Sequence, residues 1–145
     1  MACRGNLDSL QPQGPPLVTR DEYLSAIALS AADGTLTAYT AHREGRIDAW
    51  DPVTGTRLDS NAGPPADRWV NVLAAGEMYG RQVLAAGGEG VIRLWSPSDE
   101  RTVAEMHIET TPQDLLLTSD GYVCIATVMG VVTLHVPDWS SGGTG

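Results

Sequence analysis

The sequence predicts an all-β chain of three repeated units, each a small antiparallel sheet of four strands. The prediction depends first on three similar segments: EGRIDAW ending at Trp50, EGVIRLW ending at Trp95 and MGVVTLH ending at His135. These end points lie 45 and 40 residues apart, which suits a repeat of four short strands. The second observation is the even distribution of nine prolines and sixteen glycines, which favours short strands and turns over long helices.

Each unit is predicted to contain three consecutive strands, a, b and c, followed by a fourth strand, d. Strand a reads YLSAIALS, WVNVLAA and DLLLT in the three units, and strand b reads TLTAYTA, RQVLAAG and YVCIATV. Strand c ends each repeated segment, and the turn between b and c is predicted at Gly45, Gly90 and Gly130. Strand d reads RLDS after the first c strand and TVAEMH after the second.

The d strand of the third unit is predicted to come from the N-terminus. After Val136 the chain continues as PDWSSGGTG, which is too rich in glycine and serine for a strand. NLDSL, residues 6–10, is similar to the d strand RLDSN, and both lead to Gly-Pro-Pro. We therefore expect residues 1–137 to form three units in which residues 6–10 complete the last unit of a neighbouring chain. Residues 138–145 are expected to be a flexible tail.

At these residues the chain resembles the WD40-repeat β-propeller family. VLAAGGEGVIRLWS, residues 83–96, is similar to the b–c hairpin of that family with its closing tryptophan, and Trp50 with Asp51 forms a literal Trp-Asp pair. The resemblance implies three four-stranded propeller blades and a non-catalytic scaffold for protein–protein interaction. The structural repeat positions are the closing residues, the acidic turn residues and the turn glycines: Trp50, Trp95, His135, Glu44, Glu89, Gly45, Gly90 and Gly130.

The chain departs from the family pattern at several positions. The Gly-His dipeptide before strand a is absent from all three units, so the hydrogen-bonded tetrad of the family is incomplete. In the third unit Met129 replaces the turn acid and His135 replaces the tryptophan. We expect apolar packing rather than a polar network to hold this unit, through Leu115, Leu117, Val123, Ile125, Val132 and Leu134.

Three blades are too few for a ring, because propellers typically need about four to eight. Closure by oligomerisation follows, with a homodimer of six blades favoured over a homotrimer of nine. A head-to-tail contact of this kind produces a closed ring when the rotation between neighbouring chains divides a full turn evenly. Two alternatives remain open: the chain belongs to a longer propeller, or it pairs with a different chain that carries the missing blades.

The charge of the chain bears on its partners and location. A formal net charge of -9 disfavours nucleic acid and anionic membrane surfaces. No apolar run approaches the length of a membrane span, and the N-terminal residues lack the apolar segment of a secretory signal. We expect a cytoplasmic protein whose two cysteines, Cys3 and Cys124, are free thiols.

No catalytic, cofactor or metal site is predicted, and the chain is expected not to be an enzyme. Glu105 and His107 lie two residues apart on one predicted strand face, but a solvated outer strand is the ordinary interpretation. GGEG, residues 87–90, leads into a strand rather than a helix, so it lacks the geometry of a phosphate loop. A binding role remains, on a rim of loops that suits a basic protein or peptide: Trp69, Arg68, Asp67, Arg43, Asp21 and Glu22.

Two other functions fit the same architecture. One is a small-ligand or glycan-binding propeller. The other is a fragment of a quinone-dependent-dehydrogenase-like propeller, whose repeats GRIDAWDPVTGTRL resembles. Equivalent aromatic residues in each blade would indicate the first, and absorbance of a bound cofactor would indicate the second.

Overall fold

The computed structural model describes residues 24–31, 34–42, 44–59, 62–64 and 69–139. In this part the chain forms eleven β-strands arranged in three antiparallel sheets of four, four and three strands. The prediction of an all-β chain with repeated antiparallel sheets is therefore confirmed. The strands are β1 (Leu24–Ser30), β2 (Thr37–His42), β3 (Ile47–Asp51), β4 (Thr56–Asp59), β5 (Val72–Met78), β6 (Arg81–Gly88), β7 (Val91–Ser96), β8 (Arg101–His107), β9 (Asp114–Leu117), β10 (Tyr122–Thr127) and β11 (Gly130–His135).

Strand order within each sheet follows the order along the chain. Sheet 1 contains β1 to β4, sheet 2 contains β5 to β8, and sheet 3 contains β9 to β11 with β10 in the middle. Sheets 1 and 2 share an irregularity, because the register between their third and fourth strands shifts between Ala49 and Trp50 and between Leu94 and Trp95. Such a bulge bends the outer strand. Its recurrence at the two closing tryptophans indicates that both sheets are copies of one unit.

Sheet 3 differs from the predicted alignment by one residue. The two-residue turn of the b–c hairpin ends at Gly90 in sheet 2 and at Met129 in sheet 3. Five residues after these turns come Trp95 and Leu134, so Leu134 occupies the closing position that the alignment assigned to His135. The turn sets the hairpin register, and a shift of one residue exchanges the two faces of a strand.

The three sheets stack in chain order, with sheet 2 in the middle. Strand β5 contacts β1 on one side and β9 on the other. Alternate residues of β6 point into different cores: Leu84 and Ala86 into the cluster shared with sheet 1, Val83 and Ala85 into the cluster shared with sheet 3. Burial on both faces explains why this strand is a continuous apolar run rather than an alternation.

A polar contact also joins sheets 1 and 2. The Gln82 amide donates hydrogen bonds to the Tyr39 phenol at 2.9 Å and to the Ser30 hydroxyl at 3.0 Å. Burial raises the pKa of Tyr39, and the hydrogen bond from Gln82 opposes that shift. The phenol therefore remains neutral at physiological pH and serves as part of the packed interface.

Sheet 3 packs on sheet 2 through five of the six apolar residues expected to hold it; the sixth, Val132, is 37% exposed and lies outside the core cluster. Leu115, Val123 and Ile125 are at most 3% exposed and belong to the core cluster shared with sheet 2. Leu117 and Leu134 pack against the same cluster. Apolar contact therefore carries this interface.

After β11 the chain folds back onto sheet 2. The Val136 N–H donates to the Gly121 carbonyl at 2.7 Å, and the Tyr79 phenol donates to the Val136 carbonyl at 2.5 Å. The ring of Trp139 meets that of Tyr79 edge-on, with centroids 6.0 Å apart. Trp139 thus packs on sheet 2, although the sequence assigned residues 138–145 to a flexible tail; Asp138 is exposed, and residues 140–145 lie outside the described part.

Replacing Gly121 with alanine is expected to destabilise the fold more than the same change at Gly80. Both glycines have positive φ angles, 98° and 76°, which cost alanine about 1–2 kcal/mol. An added Cβ at Gly80 meets nothing within 4 Å, whereas at Gly121 it overlaps the Tyr79 phenol oxygen. Displacing Tyr79 also breaks its bond to Val136, so we expect a total of about 3 kcal/mol for Gly121→Ala. Urea unfolding of both variants measures this difference, and equal losses would contradict the fold-back contact.

Candidate functional site

The outward face of sheet 3 carries apolar residues at positions that are buried in the other sheets. Val131, three residues before the closing position, is 71% exposed, whereas Ile47 and Ile92 at the corresponding positions are 1% and 0% exposed. Those two residues belong to the cores between neighbouring sheets. The outward face of sheet 3 is therefore an interface surface without a partner among the described residues.

We call this surface the sheet-3 end face, defined by Leu116, Tyr122, Cys124, Ala126 and Val131. Leu116 is 66% exposed and Tyr122 is 42% exposed. A shallow depression of about 100 Å³ lies on it, between Leu116, Cys124, Ala126 and Val131, with Asp114 at its border. Exposed contiguous apolar residues of this kind mark an association surface more often than a solvated one.

The opposite end of the stack shows the same contrast. Ile27, Leu73 and Leu115 occupy one position, because each pairs with the corresponding residue of its b strand. Leu73 is 8% and Leu115 is 3% exposed, but Ile27 is 63% exposed. Leu29, two residues further along β1, is 56% exposed. We call Ile27 and Leu29 the sheet-1 end face.

The inner strands repeat one packing relation from sheet to sheet. Ala28 of sheet 1 lies in the same core cluster as Leu73 of sheet 2, and Ala74 of sheet 2 lies in the same cluster as Leu115 of sheet 3. Leu116 is the sheet-3 counterpart of Ala28 and Ala74. If the sheet 1 of another chain stacked on sheet 3 in the same way, Leu116 would contact Ile27 of that chain.

In the described ranges, strand β11 lacks the fourth-strand partner that the third strands of sheets 1 and 2 have. In sheets 1 and 2 the third strand pairs with a fourth, but among the described residues β11 pairs with β10 alone. An edge strand leaves alternate backbone N–H and C=O groups available to another strand. Within the described part of the chain, sheet 3 therefore has both an exposed face and an unpaired edge.

Sheet 1 contains a buried polar cluster that the sequence did not predict. The Trp50 indole donates to the Thr40 hydroxyl at 2.9 Å, and Asp48 accepts hydrogen bonds from Arg46 at 3.2 Å and lies 3.1 Å from the His42 imidazole. The side chains of His42 and Asp48 are at most 1% exposed. Burial prevents a dissolved substrate from reaching this His–Asp pair, so the cluster acts as a structural network. The alternation of polar residues in TAYTAH and IDAW was its only signal.

The predicted loop rim is described in part. Trp69 is 46% exposed, and the turn residue Glu44 is exposed and lies 3.7 Å from Arg46. Glu89 has a positive φ of 52°, which is uncommon for a residue other than glycine. Asp21, Glu22, Arg43, Asp67 and Arg68 lie outside the described residues.

The turn glycines do not all have the predicted place. Gly45 and Gly90 lie in their b–c turns with φ angles of 103° and 79°. Gly130 instead opens β11, paired with Thr127. Trp50 is buried and Trp95 is half-buried at the closing positions, whereas His135 is exposed and its ring contacts that of Tyr122 at a tilt of 54°, with centroids 4.7 Å apart.

The described residues offer little for metal chemistry. No group of three or more His, Cys, Asp or Glu side chains in this part of the chain is placed to hold a metal ion. His107 lies 3.5 Å from Glu105, which also forms an ion pair with Arg93 at 3.1 Å. No helix in the described ranges is long and apolar enough to cross a membrane.

No model of a known protein family matches the chain, and no curated protein matches it either. In the described part of the chain, the surfaces that lack a covering element are the two end faces and the edge of β11, and the loop rim carries the exposed Trp69.

Proposed function

We propose that the chain is a WD40-like half-propeller that assembles with a second copy into a closed ring of six blades and serves as a non-catalytic scaffold for protein binding. The single observation that carries the proposal is the exposure pattern along the stack. Ile27 and Val131 are 63% and 71% exposed at positions where the other sheets bury an apolar residue to 8% or less. Each exposed end thus has the chemistry of an interface that the chain already forms twice.

The two end faces are expected to meet each other. Face-to-face packing of the sheet-3 end face on the sheet-1 end face of a neighbour continues the inner-strand series, with Leu116 against Ile27. Burying one such side chain contributes about 1.5–3 kcal/mol. Two copies related by a twofold axis make this contact twice, and both ends of each stack are then covered.

Residues 6–10 are proposed to supply the missing strand. NLDSL is similar to the β4 region RLDSN, and β4 pairs with β3 so that Arg57 lies opposite Trp50. Asn6 aligns with Arg57, and Leu134 is the counterpart of Trp50. The same register in sheet 3 therefore sets Asn6 of the neighbouring chain opposite Leu134. Strand exchange of this kind covers the edge of β11 and removes a site for aggregation.

The scaffold role is supported by the acidity of the chain and by its loop rim. A net charge of -9 attracts basic partners and repels nucleic acid. The exposed ring of Trp69 is the type of side chain that anchors protein interfaces. Cytoplasmic location remains part of this proposal.

Small-angle X-ray scattering from the purified chain tests the assembled shape. We expect the distance distribution of a flat disc of two chains, because six wedge-shaped sheets fill a circle around a channel. The distribution of a single short stack, unchanged over a wide range of concentration, would overturn the proposal.

A further inference from the structure

The loop rim holds a cleft that lies within one chain, between sheets 2 and 3. Its volume is about 290 Å³, and it is lined by Trp69, Asn71, Glu89 and Thr111. Trp69 and Asn71 precede β5, Glu89 lies in the turn between β6 and β7, and Thr111 precedes β9. The cleft is at the lower limit for small-molecule pockets, so it fits one long side chain better than a cofactor.

Close backbone packing holds the wall of the cleft in place. The Asn71 N–H donates to the Gly87 carbonyl at 2.9 Å, and its amide nitrogen donates to the Pro112 carbonyl at 2.9 Å. A Cβ added at Gly88 would overlap the Trp69 carbonyl oxygen. These contacts fix the backbone of Trp69 and Asn71 against β6 and the segment before β9.

The groups around the cleft are acceptors and a π surface. The Asn71 amide nitrogen donates to a carbonyl and its Oδ1 is buried, so the acceptors that a side chain in the cleft can reach are those of the exposed residues Glu89 and Thr111. Among the described residues, the Glu89 carboxylate forms no ion pair and no lysine or arginine lines the cleft. The Trp69 ring is 46% exposed.

We propose that this cleft binds the cationic side chain of an arginine or lysine from a protein partner. A guanidinium or ammonium group brings donors for Glu89 and the Thr111 hydroxyl, and its charge is attracted to the face of the Trp69 ring. The apolar stem of the same side chain packs on the indole. Glu89 and Gly90 form the two-residue turn of the β6–β7 hairpin, in which both φ angles are positive, and this tight turn places the Glu89 side chain at the cleft.

This inference specifies the partner of the rim and rests on the proposed scaffold function, but it does not depend on assembly, since one chain provides all four lining residues. The probe is a short capped glycine–alanine peptide with one central arginine. The control peptides carry lysine, glutamine or glutamate at that position. Binding is followed by NMR through the indole N–H signal of Trp69, assigned with Trp69→Phe, while light scattering on the same samples reports the assembly state.

We expect saturable shifts with the arginine and lysine peptides and none with the glutamine and glutamate peptides. Glu89→Gln is expected to lower the affinity for the arginine peptide about fivefold, and Trp69→Ala is expected to lower it about tenfold. Glu109→Gln removes the same charge from an exposed residue that does not line the cleft, and it should leave affinity unchanged. Equal affinity of Glu89→Gln and wild type, or no shift at millimolar arginine peptide, would overturn the inference even if the chain assembles as proposed.

Discussion

Introducing one charge on either end face is expected to separate the assembled chain into monomers, and introducing opposite charges on both faces is expected to restore it. The variants are Leu116→Lys, Ile27→Glu and the double variant that carries both. Leu116 and Ile27 are 66% and 63% exposed within the chain, so each single change leaves the fold of one chain intact. In the assembly, each single change buries an unpaired charge, which costs several kcal/mol.

The expected effect on assembly is large. A rise of at least 100-fold in the dissociation constant corresponds to about 2.7 kcal/mol. The double variant sets the introduced lysine of one chain against the introduced glutamate of the next at each contact, so most of the lost affinity should return. Sedimentation velocity measures all three variants.

Leu58→Lys is the matched control. Leu58 is 56% exposed on β4, away from both end faces, and its replacement should not change the mass. If both single variants keep the wild-type mass, the end faces do not form the contact between chains. Dissociation by Leu58→Lys as well would show that added charge acts without regard to position.

Deleting residues 1–10 is the second change with a large expected effect. The deletion removes the proposed d strand NLDSL, so the edge of β11 stays unpaired and the ring loses one strand at each junction. We expect monomers or a soluble aggregate in place of the assembly. A synthetic peptide of residues 4–12 supplied in excess should restore the assembled mass, because it offers the same strand.

Deleting residues 140–145 is the control for this experiment. It shortens the chain at the other end without touching NLDSL, and the assembly should be unchanged. If the chain without residues 1–10 keeps the wild-type mass and stability, residues 6–10 do not close the ring. Failure of the peptide to bind a folded, truncated chain would point to the same conclusion.

The strands were predictable because their signals are local. Each described strand corresponds to a predicted one, since turn glycines, prolines and short apolar runs mark strand ends without reference to tertiary contacts. The repeat of Trp50 and Trp95 likewise indicates two equivalent hairpins from the spacing of residues alone. The all-β architecture could therefore be derived from the sequence.

The strand register of sheet 3 was harder to predict from the sequence. The alignment relied on Gly130 as a turn glycine and on His135 as a substitute for tryptophan. In the structure, the turn residues before Gly130 determine which residue closes the hairpin, and Leu134 takes that position. Turn geometry decides register more strictly than side-chain resemblance does, and a turn without a glycine or asparagine gives little warning of its place.

Side-chain networks could not be predicted from spacing. Thr40, His42 and Asp48 have the alternation of a solvent-facing strand, yet they are fully buried. The cleft at Trp69 was anticipated only as an exposed aromatic on a rim, because its other walls come from Glu89 and Thr111 on separate connections. Both features depend on how the sheets stack, which a single sequence specifies only through long-range contacts.

The mass of the purified full chain in solution tests the central claim most directly. Size-exclusion chromatography with multi-angle light scattering should give about 31 kDa, twice the 15.4 kDa of one chain, over micromolar concentrations. A mass of 15.4 kDa at every concentration, with the cooperative unfolding of a stable protein, would contradict assembly through the end faces.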